Sequence, residues 1–347
     1  MMATAALGLA VGIPLGYALQ SGGFCMNTAF RSILFEKDRS LLRAYVLVLL
    51  INIVAVNILD ELALINITRA PFFWPALLVG GFVFGLGMVL AGGCTSGTWY
   101  RASKGMIGSL MALIGFAAGA TASQAGILNP IQAKLRLPVL DVYGVEPTLY
   151  NIIPISHWAV KWVVVAVVVV LGGIWLLRSP KQKFTVGWNW QKTGLIIGVI
   201  AAAGWLVSGF TRRDYGLSFT QPTVSLVRFL LDADSTGINW GTFLVIGVPV
   251  GAALGARLSG ELTLRLPKPK RVLQQLAGGL MMGVGAAVAG GCNIGHGLTG
   301  VSTLALSSIA ATLFTIFGVW TATFLVYRRT ASSAARANLQ TKSAQDT

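Results

Sequence analysis

Long apolar runs separated by short charged segments constrain the folding of this sequence more than any other feature. Nine runs can be counted, at about 5–35, 41–59, 72–101, 105–122, 157–177, 193–231, 239–256, 272–300 and 301–327. A helix needs about 20 apolar residues to cross the hydrocarbon core of a bilayer. Only 11% of the 347 residues are charged, against about 25% in soluble domains. The sequence therefore predicts an all-α, polytopic membrane protein with about nine transmembrane helices.

The basic residues predict which side of the membrane each loop occupies. The formal net charge is +15, and Lys and Arg concentrate in 178–192, 257–271 and 328–347. Cytoplasmic loops are enriched in these residues, so nine crossings place the N-terminus outside and the C-terminus in the cytoplasm. The small polar residues of the tail 328–347 predict disorder. Attraction of an anionic substrate is a second interpretation of the charge. A nucleic-acid-binding role is not favoured, because the sequence has no solvated basic domain.

Four of the runs, 5–35, 72–101, 193–231 and 272–300, are longer than one crossing and contain a glycine-rich or polar break. Non-helical backbone at membrane depth has to be covered by protein or to line a cavity, because lipid cannot satisfy its N–H and C=O groups. The breaks therefore predict broken or re-entrant helices, and we expect a functional site there.

One broken segment occurs twice. Leu78–Gly97 (LVGGFVFGLGMVLAGGCTSG) recurs as Leu276–Gly295 (LAGGLMMGVGAAVAGGCNIG), with glycines and a cysteine in register. The two copies begin on opposite sides of the membrane, because an odd number of crossings separates their starts. The repeat predicts one membrane domain with two inverted halves, 5–122 and 193–327, joined by a linker helix at 157–177. Inverted repeats bring broken helices together near the bilayer midplane, where transporters bind substrate.

Other glycines of the repeat predict close packing of helices. Gly80 and Gly85, for example, recur as Gly278 and Gly283. Small residues at such spacing let helix backbones approach each other closely inside a bilayer. We therefore expect these glycines to lie between helices, and the glycine pairs at the breaks to have a different role.

All three cysteines of the chain lie in the breaks, each shortly after two glycines. The pairs are Gly22 and Gly23 before Cys25, Gly92 and Gly93 before Cys94, and Gly290 and Gly291 before Cys292. Two glycines let the backbone turn and approach a ligand. The N–H groups freed there, with the positive end of the short helix that follows, favour an anion. A small buried hydrophobe is the ordinary role of a lone membrane cysteine. The shared position of all three favours a functional role instead.

Thiols suit an anion that has to be released again. A buried ammonium would hold a dianion tightly and would be costly inside the membrane, whereas a passing ion has to be bound weakly enough to leave. A neutral thiol is a weak, polarisable donor that matches a soft sulfur atom, and an apolar site keeps it protonated. The pattern predicts a path for a sulfur-containing anion that needs no cofactor.

Further polar residues near the breaks are candidates for the same path. Those that could complete the hydrogen-bonding route are Thr95, Ser96, Asn293, His296, Ser218 and Thr220. Those that could gather anions in vestibules are Arg31, Arg101, Lys104 and Arg212. His296 fits a helix-capping role equally well. Lipid-interface anchoring is the alternative role of the four basic residues.

Two other classes of function stay open at this point. Cys25, Cys94, Cys292 and His296 are also ligand types for Cu(I) or Zn, although the sequence has no C-x-x-C pair and few acidic residues to attract a cation. A membrane enzyme with a cysteine nucleophile would need a base beside it, and the chain has only two histidines. Neither class is favoured. A facilitator and a proton symporter both remain possible, and a facilitator is favoured because no Asp or Glu occupies a central apolar position.

The breaks resemble those of the YeeE/YedE family of bacterial thiosulfate-uptake membrane proteins. The resemblance rests on SGGFCMNTAFR at 21–31, GGCTSGTWYRASKG at 92–105, GLSFTQPT at 216–223 and GGCNIGHGLTG at 290–300, and it covers the chain from the first helix to Tyr327. It implies an hourglass-shaped helical fold in the bacterial inner membrane, with an N-terminus in the periplasm. It also implies that Cys25, Cys94 and Cys292 relay thiosulfate through S–H hydrogen bonds. A separate cytosolic sulfur-carrier protein of the TusA-like kind is the partner that it implies. Because some relatives are regarded as selenium transporters, another sulfur- or selenium-containing anion remains the alternative substrate.

Overall fold

The computed structural model of this chain describes residues 2–35, 38–141, 146–151, 158–178, 187–211 and 213–343. These residues form thirteen α-helices and one π-helix, and no strand beyond isolated bridges occurs among them. Nine helices in this part of the chain are long and apolar enough to cross a membrane. The all-α class and the nine predicted crossings are therefore confirmed.

The helices fall into two series separated by a connecting region. The first series is α1 (Met2–Ser21), α2 (Met26–Arg31), α3 (Ser40–Glu61), α4 (Trp74–Ala91), α5 (Thr95–Ser103) and α6 (Ile107–Gln124). The connecting region holds α7 (Asn129–Leu135) and α8 (Trp158–Leu177). The second series is α9 (Trp190–Phe210), α10 (Thr220–Asp232), α11 (Trp240–Leu258), α12 (Pro269–Ala289), the π-helix Gly295–Gly300 and α13 (Leu306–Ser343).

Each of the four over-long runs divides into a long helix and a short one. The long helices α1, α4, α9 and α12 are followed by α2, α5, α10 and the π-helix respectively. Gly92 and Gly290 end α4 and α12 with φ values of 78° and 95°. Glycine adopts this left-handed conformation without the steric penalty that a Cβ causes, so it is the usual residue just past a helix. The predicted breaks are confirmed at the glycine pairs.

Helices α4 and α12 cross each other in antiparallel directions, with glycine at the contact. A Cβ on Gly80 would lie 2.7 Å from the Gly285 carbonyl oxygen, and a Cβ on Gly87 would lie 2.7 Å from that of Gly278. Gly80 is the counterpart of Gly278 in the repeat, and Gly87 is the counterpart of Gly285. The contact of Gly80 with Gly285 therefore corresponds to the contact of Gly278 with Gly87. Small residues at such a crossing allow close packing of backbones, as the repeated glycine pattern predicts.

The remaining contacts between the two series come in matching pairs. Helix α1 packs along α11 and α9 along α3; α12 packs along α6 and α4 along α13. Helices α1, α3, α4 and α6 of the first series correspond in order to α9, α11, α12 and α13 of the second. Each contact therefore has a counterpart, and the two series are arranged alike around the α4–α12 crossing. The antiparallel course of α4 and α12 is what an inverted repeat requires. Inversion of the complete halves and the hourglass outline stay predictions.

Two elements lie at the edge of this arrangement. Helix α8 occupies the predicted linker position, packs against α3 and leaves most of its surface exposed, as expected for a helix that faces lipid. Lys161 fixes its start through an ion pair with Asp60 at 2.7 Å. Helix α13 spans the membrane over Leu306–Val326 and stays helical to Ser343. The disorder predicted for the tail 328–347 stays a prediction.

Candidate substrate path

Two of the cysteines meet at the first-series breaks. Cys25 and Cys94 occupy the N-cap positions of α2 and α5, and both are almost completely buried. The Cys25 thiol donates to Cys94 Sγ at 3.7 Å. The Cys94 sulfur also accepts from the N–H of Gly97 at 3.3 Å and lies 3.4 Å from the Ser96 hydroxyl. The structure thus brings Cys25, Cys94 and Ser96 together.

Gly97 makes room for this thiol pair. A Cβ at this position would lie 3.1 Å from Cys25 Sγ and 3.3 Å from Cys94 Sγ. A side chain there would therefore crowd both sulfur atoms. The repeat places a glycine three residues after Cys94 and three residues after Cys292. In the first copy, Gly97 is explained by its neighbours, because the missing side chain leaves the two thiols accessible.

Asn293 joins the second-series break to both breaks of the first series. Its Oδ1 accepts from the backbone N–H of Thr95 at 3.3 Å, and its amide donates to the thioether sulfur of Met26 at 3.0 Å. Thr95 follows Cys94, Met26 follows Cys25, and Asn293 follows Cys292 in the sequence. Thr95 and Asn293 are 198 residues apart and are counterparts in the repeat. The three cysteine-bearing breaks therefore meet at one buried side chain.

Cys292 lines a small cavity beside this junction. Phe30, Phe84, Asn293 and Gly297 contribute to the same cavity, which has room for about one water molecule. Cys292 itself is only 1% exposed. This cavity is too small for an oxyanion in this conformation, so an anion could pass the predicted path only if side chains moved.

His296 acts as a helix cap in this structure. Its Nε2 lies 3.0 Å from the carbonyl oxygen of Ala289 at the end of α12, and its Nδ1 lies 3.0 Å from the Ser308 hydroxyl. Both ring nitrogens are thus engaged. No group of three His, Cys, Asp or Glu side chains in the described ranges is arranged to hold a metal ion. The geometry favours the capping role over the soft-metal ligand role that the sequence left open.

Side-chain donors cover the carbonyl ends of α4 and α12. At α4, Asn27 donates to Met88 at 3.2 Å, Gln275 to Ala91 at 3.1 Å and Arg101 to Gly92 at 2.6 Å. At α12, Arg136 donates to Ala287 and Val288, and His296 is bonded to Ala289. The C-terminal end of a helix carries partial negative charge, which repels anions. These donors offset that charge at the two breaks where an anion would pass.

A large cavity with basic walls opens beside the second-series breaks. It has a volume of about 640 Å³ and reaches Gly290 and Ser218. Three arginines, Arg69, Arg136 and Arg213, line it, and no Asp or Glu is among its described lining residues. Nη1 of Arg213 is buried without a hydrogen-bond partner, and the guanidinium lies over the ring of Trp240. We refer to this cavity as the Gly290 vestibule.

The predicted vestibule residues lie in other places. Arg101 caps α4 from the opposite end of the molecule, and Lys104 forms an ion pair with Glu261 at 3.2 Å. Arg31 is the last residue of α2. Arg212 lies outside the described residues, whereas its neighbour Arg213 lines the Gly290 vestibule. Arg101 instead lines a smaller cavity beside Gly92, and a vestibule role for the four basic residues stays a prediction.

The remaining predicted path residues occupy the ends of the breaks. Gly22 packs against Thr193, and Gly23 has a φ of 56° with open space where a Cβ would be. Gly93 and Gly291 face Arg101 and His296. Ser218 lines the vestibule, and Thr220, the first residue of α10, is buried with no partner for its hydroxyl.

Sequence reasoning missed Met26 and the three vestibule arginines. Met26 stands directly after Cys25, so proximity to the motif was an available signal. Arg69, Arg136 and Arg213 come from three separate connecting segments. No local pattern joins them, and only the tertiary fold places them around one cavity.

Comparison with known proteins identifies the family of this chain. The family model described as sulphur transport matches residues 21–321. A protein named thiosulfate transporter TsuA from Spirochaeta thermophila is 36% identical over 332 residues, covering 93% of this chain and 99% of that protein. Its namesake from Escherichia coli K12 is 35% identical over 341 residues, covering 93% of this chain and 94% of that protein. A probable transporter YedE from Salmonella typhimurium is 33% identical over 106 residues, which is 29% of this chain and 25% of that protein.

The family match spans the segment that contains all four breaks, and the two similar proteins align with this chain over nearly their whole length. Both are named as transporters, and the present fold has nine helices, among the residues described, that are suited to cross a membrane. This chain is a multi-pass membrane protein that belongs to the sulphur transport family, which includes the YeeE/YedE proteins.

Proposed function

We propose that this chain takes up thiosulfate across the bacterial inner membrane by relaying the anion between neutral thiols. The observation that carries the proposal is the junction at Asn293, because it joins the breaks that hold Cys25, Cys94 and Cys292. The names of the two similar proteins support thiosulfate as the substrate. The chain acts as a transporter and not as an enzyme, and no cofactor takes part in the relay.

The anion enters at the Gly290 vestibule. Arg69, Arg136 and Arg213 raise its local concentration there, as clefts lined by one sign of charge do. It then reaches the Gly290–Gly291 break and the Cys292 thiol, which supplies a polarisable donor without adding charge. Weak donors suit this step, because an ion that moves on has to be released quickly.

The central step is the opening of the Asn293 junction. When Asn293 turns away, the N–H of Thr95 at the start of α5 is freed, and this N–H lies at the positive end of a short helix. The anion passes from Cys292 to the Cys25–Cys94 pair, where its oxygens and terminal sulfur meet two thiols. It leaves along Gly93 and Gly92 at the opposite end of the path.

Thiosulfate uptake by the purified chain tests this function. In vesicles that contain the protein, radiolabelled thiosulfate should accumulate to equilibrium and unlabelled thiosulfate should compete with it. Related sulfur- or selenium-containing anions, added as competitors, identify the alternative substrates. Vesicles without protein give the leak rate. Uptake no faster than this leak would contradict the proposal.

Substitution of Asn293 tests the junction. We expect Asn293→Asp to reduce uptake by at least about 100-fold, because a fixed negative charge at this point repels a dianion by several kcal/mol. Uptake is measured per amount of folded protein in the vesicles. Asn52→Asp is the matched control, since Asn52 is equally buried but bonds to Val48 and Gly198 between α3 and α9. Equal loss of specific uptake in both variants would place Asn293 outside the path.

The orientation and the partner complete the proposal. The basic loops place the C-terminus in the cytoplasm and the N-terminus in the periplasm, which a fluorescent reporter fused after α13 would report.

The resemblance to the family favours delivery of the imported sulfur to a separate TusA-like carrier protein. Cytosolic consumption of thiosulfate would then drive net uptake. Co-purification of such a carrier with this chain would support the delivery step.

A further inference from the structure

A second basic cavity lies at the end of the path away from the Gly290 vestibule. It has a volume of about 370 Å³ and reaches Gly92, the residue that ends α4. Arg101, Arg265, Arg271, Ser109 and Gln275 line it. We refer to it as the Gly92 chamber.

Arg101 is partly buried in this chamber, whereas Arg265 and Arg271 are exposed residues at its mouth. Arg101 is bonded to the Gly92 carbonyl at 2.6 Å, and Nη2 of Arg271 lies 3.1 Å from the position that a Cβ on Gly92 would occupy. The backbone of Arg265 is held between two hydrogen bonds, to Gly105 at 2.9 Å and from Ile107 at 3.1 Å. The loop that carries Arg265 is therefore fixed against the turn between α5 and α6.

The negative charge nearest to this loop is neutralised away from the chamber. Glu261 accepts from Lys104 at 3.2 Å and from Gln20 at 2.8 Å. No Asp or Glu is among the described residues that line the chamber. Three arginines without a carboxylate partner in the lining leave the chamber electropositive, and such a site favours small oxyanions.

The Gly92 chamber and the Gly290 vestibule are related by the internal repeat. Gly92 and Gly290 are counterparts, so the Gly92 chamber and the Gly290 vestibule stand at equivalent breaks of the two halves. Positive charge from cytoplasmic loops alone would not require arginines to surround the break itself. Arg101 comes from α5 and not from the basic loop, so the positive charge at the Gly92 break is not only that of a cytoplasmic loop.

We propose that the Gly92 chamber is a second binding site for a small divalent oxyanion, of the class to which thiosulfate belongs. The inference rests on the proposed function and extends it. An anion that leaves the Cys25–Cys94 pair is received by the guanidinium groups before its release. One chain thus binds two anions, one at each end of the closed centre.

Equilibrium binding of radiolabelled thiosulfate to the chain in neutral-lipid nanodiscs tests this site. The natural chain should bind two anions. Arg265→Gln combined with Arg271→Gln should weaken one of them by at least about tenfold and leave the other within about twofold, because each guanidinium contributes charged hydrogen bonds. Lys268→Gln combined with Lys270→Gln is the matched control: it removes two charges from the same segment but none from the lining, and should leave both affinities within about twofold.

The possible outcomes distinguish a thiosulfate site from a general effect of charge and from a site for a lipid headgroup. A single site that the arginine variant leaves unchanged overturns the inference, and so does equal weakening by the lysine control. The same binding in nanodiscs that contain anionic lipid distinguishes a lipid headgroup: loss of the second thiosulfate site there would assign the chamber to lipid and overturn the inference. Absence of any binding or uptake by the natural chain would instead contradict the proposed function. The single Arg271→Gln variant provides the test should the double variant not fold.

Discussion

Replacing Cys25, Cys94 and Cys292 together by alanine is expected to reduce thiosulfate uptake by at least about 100-fold. In the proposed relay each thiol would donate a hydrogen bond to a charged ligand, and such bonds contribute about 1.5–3 kcal/mol. Every 1.4 kcal/mol corresponds to about tenfold in a rate or an affinity. The loss should therefore be large even when the substitutions are not additive. Initial rates of radiolabelled uptake into vesicles give the measurement.

The single variants and a control sharpen this prediction. Serine keeps a donor but lacks the polarisable sulfur, so each Cys→Ser variant should transport better than the corresponding Cys→Ala variant. Ser123→Ala is the control, because Ser123 is fully buried and bonds only to its own helix, at Gly119. It should transport at close to the natural rate. Undiminished uptake by the triple alanine variant would refute the thiol relay.

Replacing Gly279 by alanine is expected to lower the thermal unfolding midpoint of the protein by about 2–4 °C. A Cβ there would lie 2.0 Å from the carbonyl oxygen of Ala112, which is backbone of the neighbouring helix α6. The two helices would have to separate, and overpacking of this kind costs about 1–3 kcal/mol or more. Each kcal/mol lowers the midpoint by about 1–2 °C in a chain of this length, because the entropy of unfolding grows with the number of residues.

Two further glycines make this a graded series. A Cβ on Gly81, the repeat counterpart of Gly279, would lie 2.8 Å from Ala311 O, so Gly81→Ala should destabilise the protein less. Gly173 in α8 has no atom within 4 Å of a Cβ, so Gly173→Ala should shift the midpoint by less than about 1 °C. Unfolding followed by tryptophan fluorescence in detergent provides the values. Equal shifts of the unfolding midpoint for all three variants would show that contact between helices does not determine the loss of stability.

The sequence by itself determined the class of fold and the position of the breaks. Apolar runs of about 20 residues permit few structures other than membrane-spanning helices, because lipid leaves backbone groups no other partner. The glycine pairs at 92–93 and 290–291 fixed where α4 and α12 end, since glycine tolerates the left-handed conformation found there. Cys25, Cys94 and Cys292 were identified because each follows such a pair.

Only the tertiary structure decided what these breaks contact. The bonds of Asn293 to Thr95 and to Met26 depend on how the two helix series cross, and the pairing of Cys25 with Cys94 depends on packing within the first series. Local sequence encodes neither arrangement. The vestibule arginines come from distant connecting segments, and packing places His296 against the carbonyl end of α12. Helix formation in a bilayer follows from local composition, whereas convergence of side chains follows from close packing between helices far apart in the chain.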